Sequence, residues 1–582
     1  MEVPARATPL QIGSSLYFCT ANNQVIALDA DNGGERWRYN PHVREAAYGR
    51  SCRGVAYHAS AGATGECAAS IYVSTHDARL IAVDAATGKP CAAFGQGGTV
   101  DLSAQMGDSS SHYLYASSPP IVVGDIVIVG NCVFDGQQVG EPAGVVRAYD
   151  ARTGAFVWAW DSGRPGINTA PPPGETYTVA TPDVWSLISA DPELGLVYLP
   201  TGNVTPDYYG GYRAPLMDKY SASVVALDVK TGELRWAFQT VHHDIWDYDV
   251  ASQPVLVDFP TPEGKVPALL QATKRGELFV LDRRTGKPLT QVEEKPVPQG
   301  AAPGDYTYPT QPFSTGMPSL LDATLHESDM WGLTPIDQLW CRVRFREARY
   351  EGTMTPIGLE PSVRMPGSSG VYNWGSVSFD ETSGIIVAAT LHLANYDKLI
   401  PRGAPEARQF ESLNQVGHPE IGPGAGAPQR GTPYAVSNPP FFSPLQVPCT
   451  KPPYGRVTAI DLNTRRIVWS KPVGTTRGSG PFGLSVGIPL PMGAPVNGGL
   501  LVTAGGLSFF AGAMDGYIRA YATRTGTELW RASLPIGSEA SPMTYISPTR
   551  HHQMIVTTAG GAVGTSQSGD YVVAYSLPDA GK

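Results

Sequence analysis

Charge is scarce in this chain. Asp, Glu, Lys and Arg supply only 16% of its 582 residues, and the net charge is −10. The charges are scattered, and an acidic balance of this size argues against nucleic acid as a partner. Cysteine is sparse too. The seven thiols (Cys19, Cys52, Cys67, Cys91, Cys132, Cys341 and Cys449) are too few for a disulfide scaffold of this size. No Cys-x-x-Cys pair occurs, which excludes zinc ribbons, thioredoxin chemistry and covalent c-type haem. An odd count leaves at least one thiol free if the rest pair. Cys52 and Cys67 flank a short Gly/Ala-rich excursion and form the expected disulfide, with two buried thiols as the alternative. No apolar run reaches the ~18 residues of a membrane-spanning helix. The opening MEVPARATPLQIGSS lacks the basic and apolar regions of a signal peptide. Either export information has been trimmed or the protein stays inside.

Turn formers are abundant, with 65 Gly and 52 Pro. Among them one phrase recurs: Ala-x-Asp-x-x-x-Gly-x-x-x-Trp. It is complete at Ala27/Asp29/Gly33/Trp37, Ala148/Asp150/Gly154/Trp158 and Ala226/Asp228/Gly232/Trp236. Weaker copies stand at Ala82/Asp84/Gly88, Asp282/Gly286, Ala459/Asp461/Trp469 and Ala520/Gly526/Trp530. Apolar residues alternate up to the Asp, turn formers follow, and a second alternating run carries the Trp. Each copy therefore predicts a β-hairpin. The Asp can bond the turn backbone, and the Trp is large enough to fill the gap between neighbouring sheets.

A repeat of this length fits one four-stranded blade plus loops, a little above the ~40–50 residues of common propeller repeats. The expected fold is all-β, an eight-bladed β-propeller over residues 1–582 as a single domain. An open β-solenoid or a pair of sandwiches is the alternative. The long gap between Asp282 and Asp461 is expected to hide a degenerate blade and a large insertion. The Pro/Gly-rich stretch around 401–453 reads as that loop insertion, since a repeat resumes after it.

Propeller ligands bind near the axis, on loops at one end of the inner strands. The densest polar segment is Val241–Asp249, with His242, His243, Asp244, Asp247 and Asp249 among aromatics. So many charges need hydration, pairing or a metal. Oxygen donors suit a hard cation better than zinc, and a solvated acidic loop is the alternative. Asn203, in Leu199–Gly211, offers an amide oxygen to a cation or an Asx-turn. Lys274 ends one strand before Glu277–Leu281 begins another, as a functional cation or as a solubilising one.

Taken together, these segments resemble the PQQ-dependent quinoprotein dehydrogenases, in the branch of membrane-bound glucose and quinate/shikimate enzymes. The resemblance is carried by Thr8–Gly13, Cys52–His58, Gln239–Asp249, Phe279–Gly286, Pro296–Ala301 and Asp329–Gly332, and runs from about residue 8 to the C-terminus. It implies an enzyme that binds PQQ and calcium (or magnesium). It implies Asp247 as catalytic base and metal contact, and Lys274 as the cation facing the quinone carbonyls. Asn203, Glu141 and Asp135 fall at its metal positions. Trp185 matches the floor beneath the quinone and His58 the roof; Arg53, Asn373 and Trp374 join the cofactor contacts. The substrate implied is a polyol or sugar and the acceptor ubiquinone or another external carrier, in the periplasm at the inner membrane. Several features depart from the family. Its N-terminal transmembrane helices are absent, so membrane association would run through a missing region. The strand usually preceding Thr8 is also missing. Ala388–Leu393 lacks the Asn-Pro-Met of glucose enzymes, which favours quinate or shikimate over glucose. Ala559–Gly564 lacks the usual His. A non-catalytic propeller scaffold or a pseudoenzyme is the competing reading.

Overall fold

The computed structural model describes residues 5–44, 51–108, 113–411, 426–484, 487–561 and 569–577. Strands dominate, as the alternating apolar runs predict. Among the described residues, nine antiparallel sheets have three or four strands; eight follow one another in chain order, and the ninth belongs to an inserted excursion. The first is Leu10–Ile12, Ser15–Cys19, Val25–Asp29 and Glu35–Tyr39, with each strand bonded to the next. The last is Met543–Ile546, Gln553–Ala559 and Tyr571–Ser576.

The recurring phrase does in space what its chemistry requires. Asp29 Oδ1 accepts from the backbone N–H of Asp31 and Asn32 at 2.9 and 3.2 Å. Asp150 and Asp228 hold their turns in the same way. The tryptophan then reaches into the next sheet. Trp37 Nε1 donates to Ala85 O at 3.1 Å, Trp158 to Val229 O at 2.8 Å, Trp236 to Arg283 O at 3.2 Å and Trp469 to Thr523 O at 2.8 Å. Each indole lies against the turn glycine of that next sheet. A Cβ on Gly88, Gly286 or Gly526 would sit 2.5 Å from a tryptophan ring atom. The glycine therefore has two jobs: it takes a positive φ, 72° at Gly286, and it leaves room for the indole. Where the second sheet lacks the tryptophan, Gly95 N donates to Thr153 O at 2.8 Å instead.

The sheets close into a ring, and the fold is a β-propeller. Arg6 pairs with Glu539 at 2.7 Å, Gln11 Nε2 donates to Ile546 O at 2.7 Å, and Thr558 Oγ1 donates to Ala7 O at 3.0 Å. These contacts join the first sheet to the last, although no strand preceding Thr8 completes the last sheet among the described residues.

Two expectations change. The gap between Asp282 and Asp461 contains no further propeller sheet among the described residues; the sheet without a repeat phrase is the last one. The gap is filled by inserted structure, because two neighbouring strands, Ile385–Leu391 and Gly455–Asp461, are separated by a long excursion. The stretch around 401–453 lies within it. Strand Asn395–Pro401 pairs there with Ser362–Arg364 and Tyr434–Ser437. The disulfides also differ. Cys52 bonds Cys19 and Cys67 bonds Cys91, while Cys341 bonds Cys449 and Cys132 is free and buried. Short sequence distance is no guide here: Cys52 lies outside the strands, and its partner Cys19 ends the strand Ser15–Cys19. Among the described residues no helix is long and apolar enough to cross a membrane.

Candidate active site

The loop 240–250 leaves the strand Leu234–Gln239 and leads to the next sheet at Val255–Thr261. The Asp244 carboxylate folds it, accepting from Trp246 N at 2.9 Å and Tyr248 N at 2.7 Å. Asp247 follows with φ +58°, a left-handed conformation that costs a non-glycine residue energy. That twist turns Asp247 towards Lys274, which sits in the turn between Gly264–Ala272 and Leu278–Asp282. Lys274 Nζ lies 2.8 Å from Asp247 Oδ1, 3.0 Å from Asp247 O and 2.5 Å from Asp249 Oδ1. Asp249 Oδ2 accepts from Trp185 Nε1 at 2.5 Å. The structure thus brings Asp247, Lys274 and Trp185 together through Asp249.

A second arm carries Arg53. It donates to Ser117 Oγ at 2.6 Å, Ser118 Oγ at 3.1 Å and Trp185 O at 3.3 Å. Its guanidinium lies 5.2 Å from the Trp185 ring centre and 5.3 Å from that of Trp374. The third arm is Tyr208, whose hydroxyl donates to Asp247 Oδ2 at 3.2 Å and accepts from Asn438 Nδ2 at 2.8 Å.

Carboxylates crowd this centre. The Asp135 side chain keeps accessible surface although protein surrounds it densely. Burial and the charges of Asp247 and Asp249 raise it to about 7. Glu141 is fully buried and raised to about 8 by that burial and by Asp135. Its Oε1 accepts from Gln137 N and Gln138 N at 2.5 and 3.0 Å. Its Oε2 and the nearby Thr205 hydroxyl, both buried, complete no hydrogen bond of good geometry. Asp183 and Asp207, also buried, are pushed well above the usual carboxylate range, first by burial and then by their acidic neighbours. Asp247 is held up by burial and by Asp249, against the pull of Lys274. Lys274 is raised despite burial, because Asp247 and Asp249 hold its proton.

The other sequence candidates lie differently. Asn203 Oδ1 already accepts from Val204 N at 2.8 Å and Ser221 Oγ at 2.9 Å. Its amide donates to Asp207 O and Asp244 O, so it braces the acidic loops. His58 is not drawn to the Asp247 cluster; its Nε2 meets Asp125 Oδ1 at 2.8 Å. Asn373 bonds Trp374 N and Ser369 O, which shapes its own loop. Among the described residues no three or more His, Cys, Asp or Glu side chains are arranged to hold a metal ion. In the sequence Asp249 stood out only as part of its polar segment, and nothing there assigned a site role to Asp183, Asp207, Tyr208 or Asn438. Asp249 could have been found, since it stands in the same motif as Asp247. Asn438 could not, since it comes from the long excursion.

A family model for the "PQQ: Glucose/ethanol/alcohol dehydrogenase, beta-propeller domain" matches residues 1–555. The glycerol dehydrogenase large subunit of Gluconobacter oxydans is 45% identical, over 99% of this chain and 79% of that protein. The quinate/shikimate dehydrogenase (quinone) of Acinetobacter baylyi is 42% identical, over 98% and 72%. The quinoprotein glucose dehydrogenase of Escherichia coli is 40% identical, over 99% and 73%. In fold, the chain is similar to quinohemoprotein alcohol dehydrogenase from Comamonas testosteroni, with TM-score 0.66 and 24% identity over 100% of this chain and 76% of that one. A europium-containing methanol dehydrogenase gives TM-score 0.63 and 22% identity over 96% and 83%. This chain belongs to the PQQ-dependent dehydrogenases and is a quinoprotein oxidoreductase. Its branch is that of the quinate, glucose and glycerol enzymes.

The residues present fit PQQ. A flat, carboxylate-rimmed quinone wants aromatic faces and cations. Trp185 and Trp374 flank a planar guanidinium here, and Arg53 and Lys274 supply the charge. Oxygen donors of the kind a hard cation takes are present, among them the incompletely bonded Glu141 Oε2, but among the described residues they are not gathered into a coordination site.

Proposed function

We propose that this chain oxidises a secondary hydroxyl of a polyhydroxylated ring substrate of the quinate or shikimate kind. It uses PQQ with calcium or magnesium and passes the electrons to ubiquinone or another external acceptor. We place it in the periplasm at the inner membrane, with residues 1–582 as one PQQ-binding propeller domain. The observation that carries the chemistry is the array Trp185–Asp249–Lys274–Asp247, in which each polar side chain touches the next.

Asp247 is the base. Its raised pKa brings its proton affinity closer to that needed to accept a hydroxyl proton, which is how a buried carboxylate becomes an effective general base. Lys274 and the Tyr208 hydroxyl hold one oxygen each, so the carboxylate cannot rotate freely. Asp249 fixes both Lys274 and the Trp185 indole, coupling the base to the aromatic face. Arg53 and Lys274 would receive cofactor carboxylates and carbonyls, and Glu141, Asp247 and Asp135 would offer oxygens to the cation. When bound, PQQ would supply a two-electron hydride acceptor and the cation would supply a Lewis acid.

The substrate class rests on the 42% identity to the quinate/shikimate enzyme and on the missing Asn-Pro-Met at Ala388–Leu393. A linear polyol is the second reading, supported by 45% identity to a glycerol dehydrogenase large subunit. A dye-reduction assay with added PQQ and calcium tests both. The expected result is turnover of quinate or shikimate ahead of glycerol and glucose. Preference for glycerol would move the assignment to linear polyols, and preference for a simple primary alcohol would sink both.

A further inference from the structure

His243 is buried at 3% exposure, and both of its ring nitrogens face carboxylates. Nδ1 stands 2.5 Å from Asp218 Oδ2 and Nε2 stands 2.8 Å from Asp305 Oδ1. A neutral imidazole has one N–H, so with both carboxylates ionised a hydrogen bond at each nitrogen needs the imidazolium. The ring stacks on Tyr306 at 3.8 Å. Asp305 Oδ2 also accepts from Gly210 N at 2.7 Å, and a Cβ on Gly210 would fall 2.4 Å from the imidazole. Arg213 adds a second charge to the same knot. It meets Asp218 at 3.5 Å and donates to Asp244 O at 2.6 Å and Asp207 O at 3.0 Å. Three segments thus converge on one ring: the 207–218 loop that carries Tyr208, the 240–250 loop that carries Asp247, and the 301–308 loop. His243 itself takes φ +45°, so its backbone needs external support.

We propose that His243 is a positioning residue whose imidazolium clamps these three loops and thereby holds Asp247 in its left-handed, Lys274-facing conformation. The inference rests on the reading of Asp247 as the base. The groups facing the ring are Asp218 and Arg213 from one segment, Asp305 and Tyr306 from another, and Asp244 from its own loop. Burial pulls the His243 pKa down, but its bonds to Asp218 and Asp305 outweigh that and hold it above the usual histidine value. The clamp is therefore complete at and below the ordinary histidine value, and opens as pH rises through the raised one.

The test compares the parent with His243→Gln, which offers a single neutral donor, and His243→Phe, which keeps the stack and no donor. Asp305→Asn provides a variant that leaves the histidine in place. Hydrogen exchange of the 240–250 and 301–308 peptides is read without cofactor, and kcat and KM against pH with PQQ and calcium. The expected result is faster exchange in both loops of all three variants. In the parent, protection from exchange, after correction for intrinsic base catalysis, and kcat both fall on the alkaline side, and both dependences are lost in the His243 variants. Their kcat should fall at least ~10-fold, within the ~10²-fold range that a 1 Å misplacement costs. Parental exchange and an unchanged pH profile in His243→Gln and His243→Phe would overturn the clamp. Loss of the clamp signal in exchange alone, with an Asp247→Asn enzyme still active, would instead overturn the reading of the base.

Discussion

Lys274 touches Asp247 twice, through a carboxylate oxygen at 2.8 Å and the backbone carbonyl at 3.0 Å. Holding both ends of one residue fixes its side chain and its strained backbone together. The ammonium also serves Asp249, so one cation orders two carboxylates that would otherwise repel each other.

Replacing Asp247 with Asn should therefore separate binding from chemistry. Asn keeps an oxygen for a cation and a partner for Lys274, yet it takes no proton at neutral pH. Turnover should fall ~10²–10⁴-fold, the usual cost of losing a general base, while PQQ affinity measured by fluorescence quenching stays close to the parent's. Near-parental turnover would place the base elsewhere.

Loading should stabilise the protein. A ligand that binds only the folded state adds about 2.7 kcal/mol at a hundredfold excess over its Kd. PQQ and calcium together should raise Tm in a concentration-dependent way, and PQQ should do less without a divalent cation. An unchanged Tm at saturating concentrations of both would contradict the assignment of Arg53, Lys274 and Glu141 to these ligands.

The acid cluster sets a pH dependence of stability with a definite sign. Glu141 has an ordinary pKa of 4.5 and is raised to about 8 in the fold. Between those values the folded chain keeps a proton that the unfolded chain has lost. Stability is then fully present below the ordinary value and falls as pH rises towards 8. Asp244, raised to about 7 chiefly by burial, adds to the same slope. Urea denaturation from pH 5 to 8 without cation should show this decline, Glu141→Gln should flatten it, and calcium should help most at the alkaline end. A slope that is unchanged in Glu141→Gln would remove Glu141 from the account.

Gly286→Ala tests the contact between sheets. The new Cβ would meet the Trp236 ring 2.5 Å away, at a backbone with φ +72°. Overpacking of this kind typically costs ~1–3 kcal/mol, and the positive φ adds to it. The same change at Gly13, whose Cβ would meet nothing within 4 Å at φ +57°, isolates the backbone part. Equal losses in urea at the two positions would show that the indole contact contributes nothing.

The local phrase determined the strands, the Asp-capped turns and the tryptophan reaching into the next sheet. Each rests on residues within one hairpin, where spacing alone dictates which backbone groups meet. The charge-dense run 241–249 likewise marked the segment, because so many charges need a common purpose, and the resemblance to the family singled out Asp247 within it. Tertiary structure alone decided the rest. It chose Cys19 and not Cys67 as the partner of Cys52, and it turned His58 towards Asp125. It also engaged the Asn203 oxygen within its own loops and brought Asn438 to Tyr208 from more than two hundred residues away. These outcomes depend on which distant segments the folded ring brings together. That is a property of closing the circle, set by contacts such as Arg6 with Glu539, and no single hairpin encodes it.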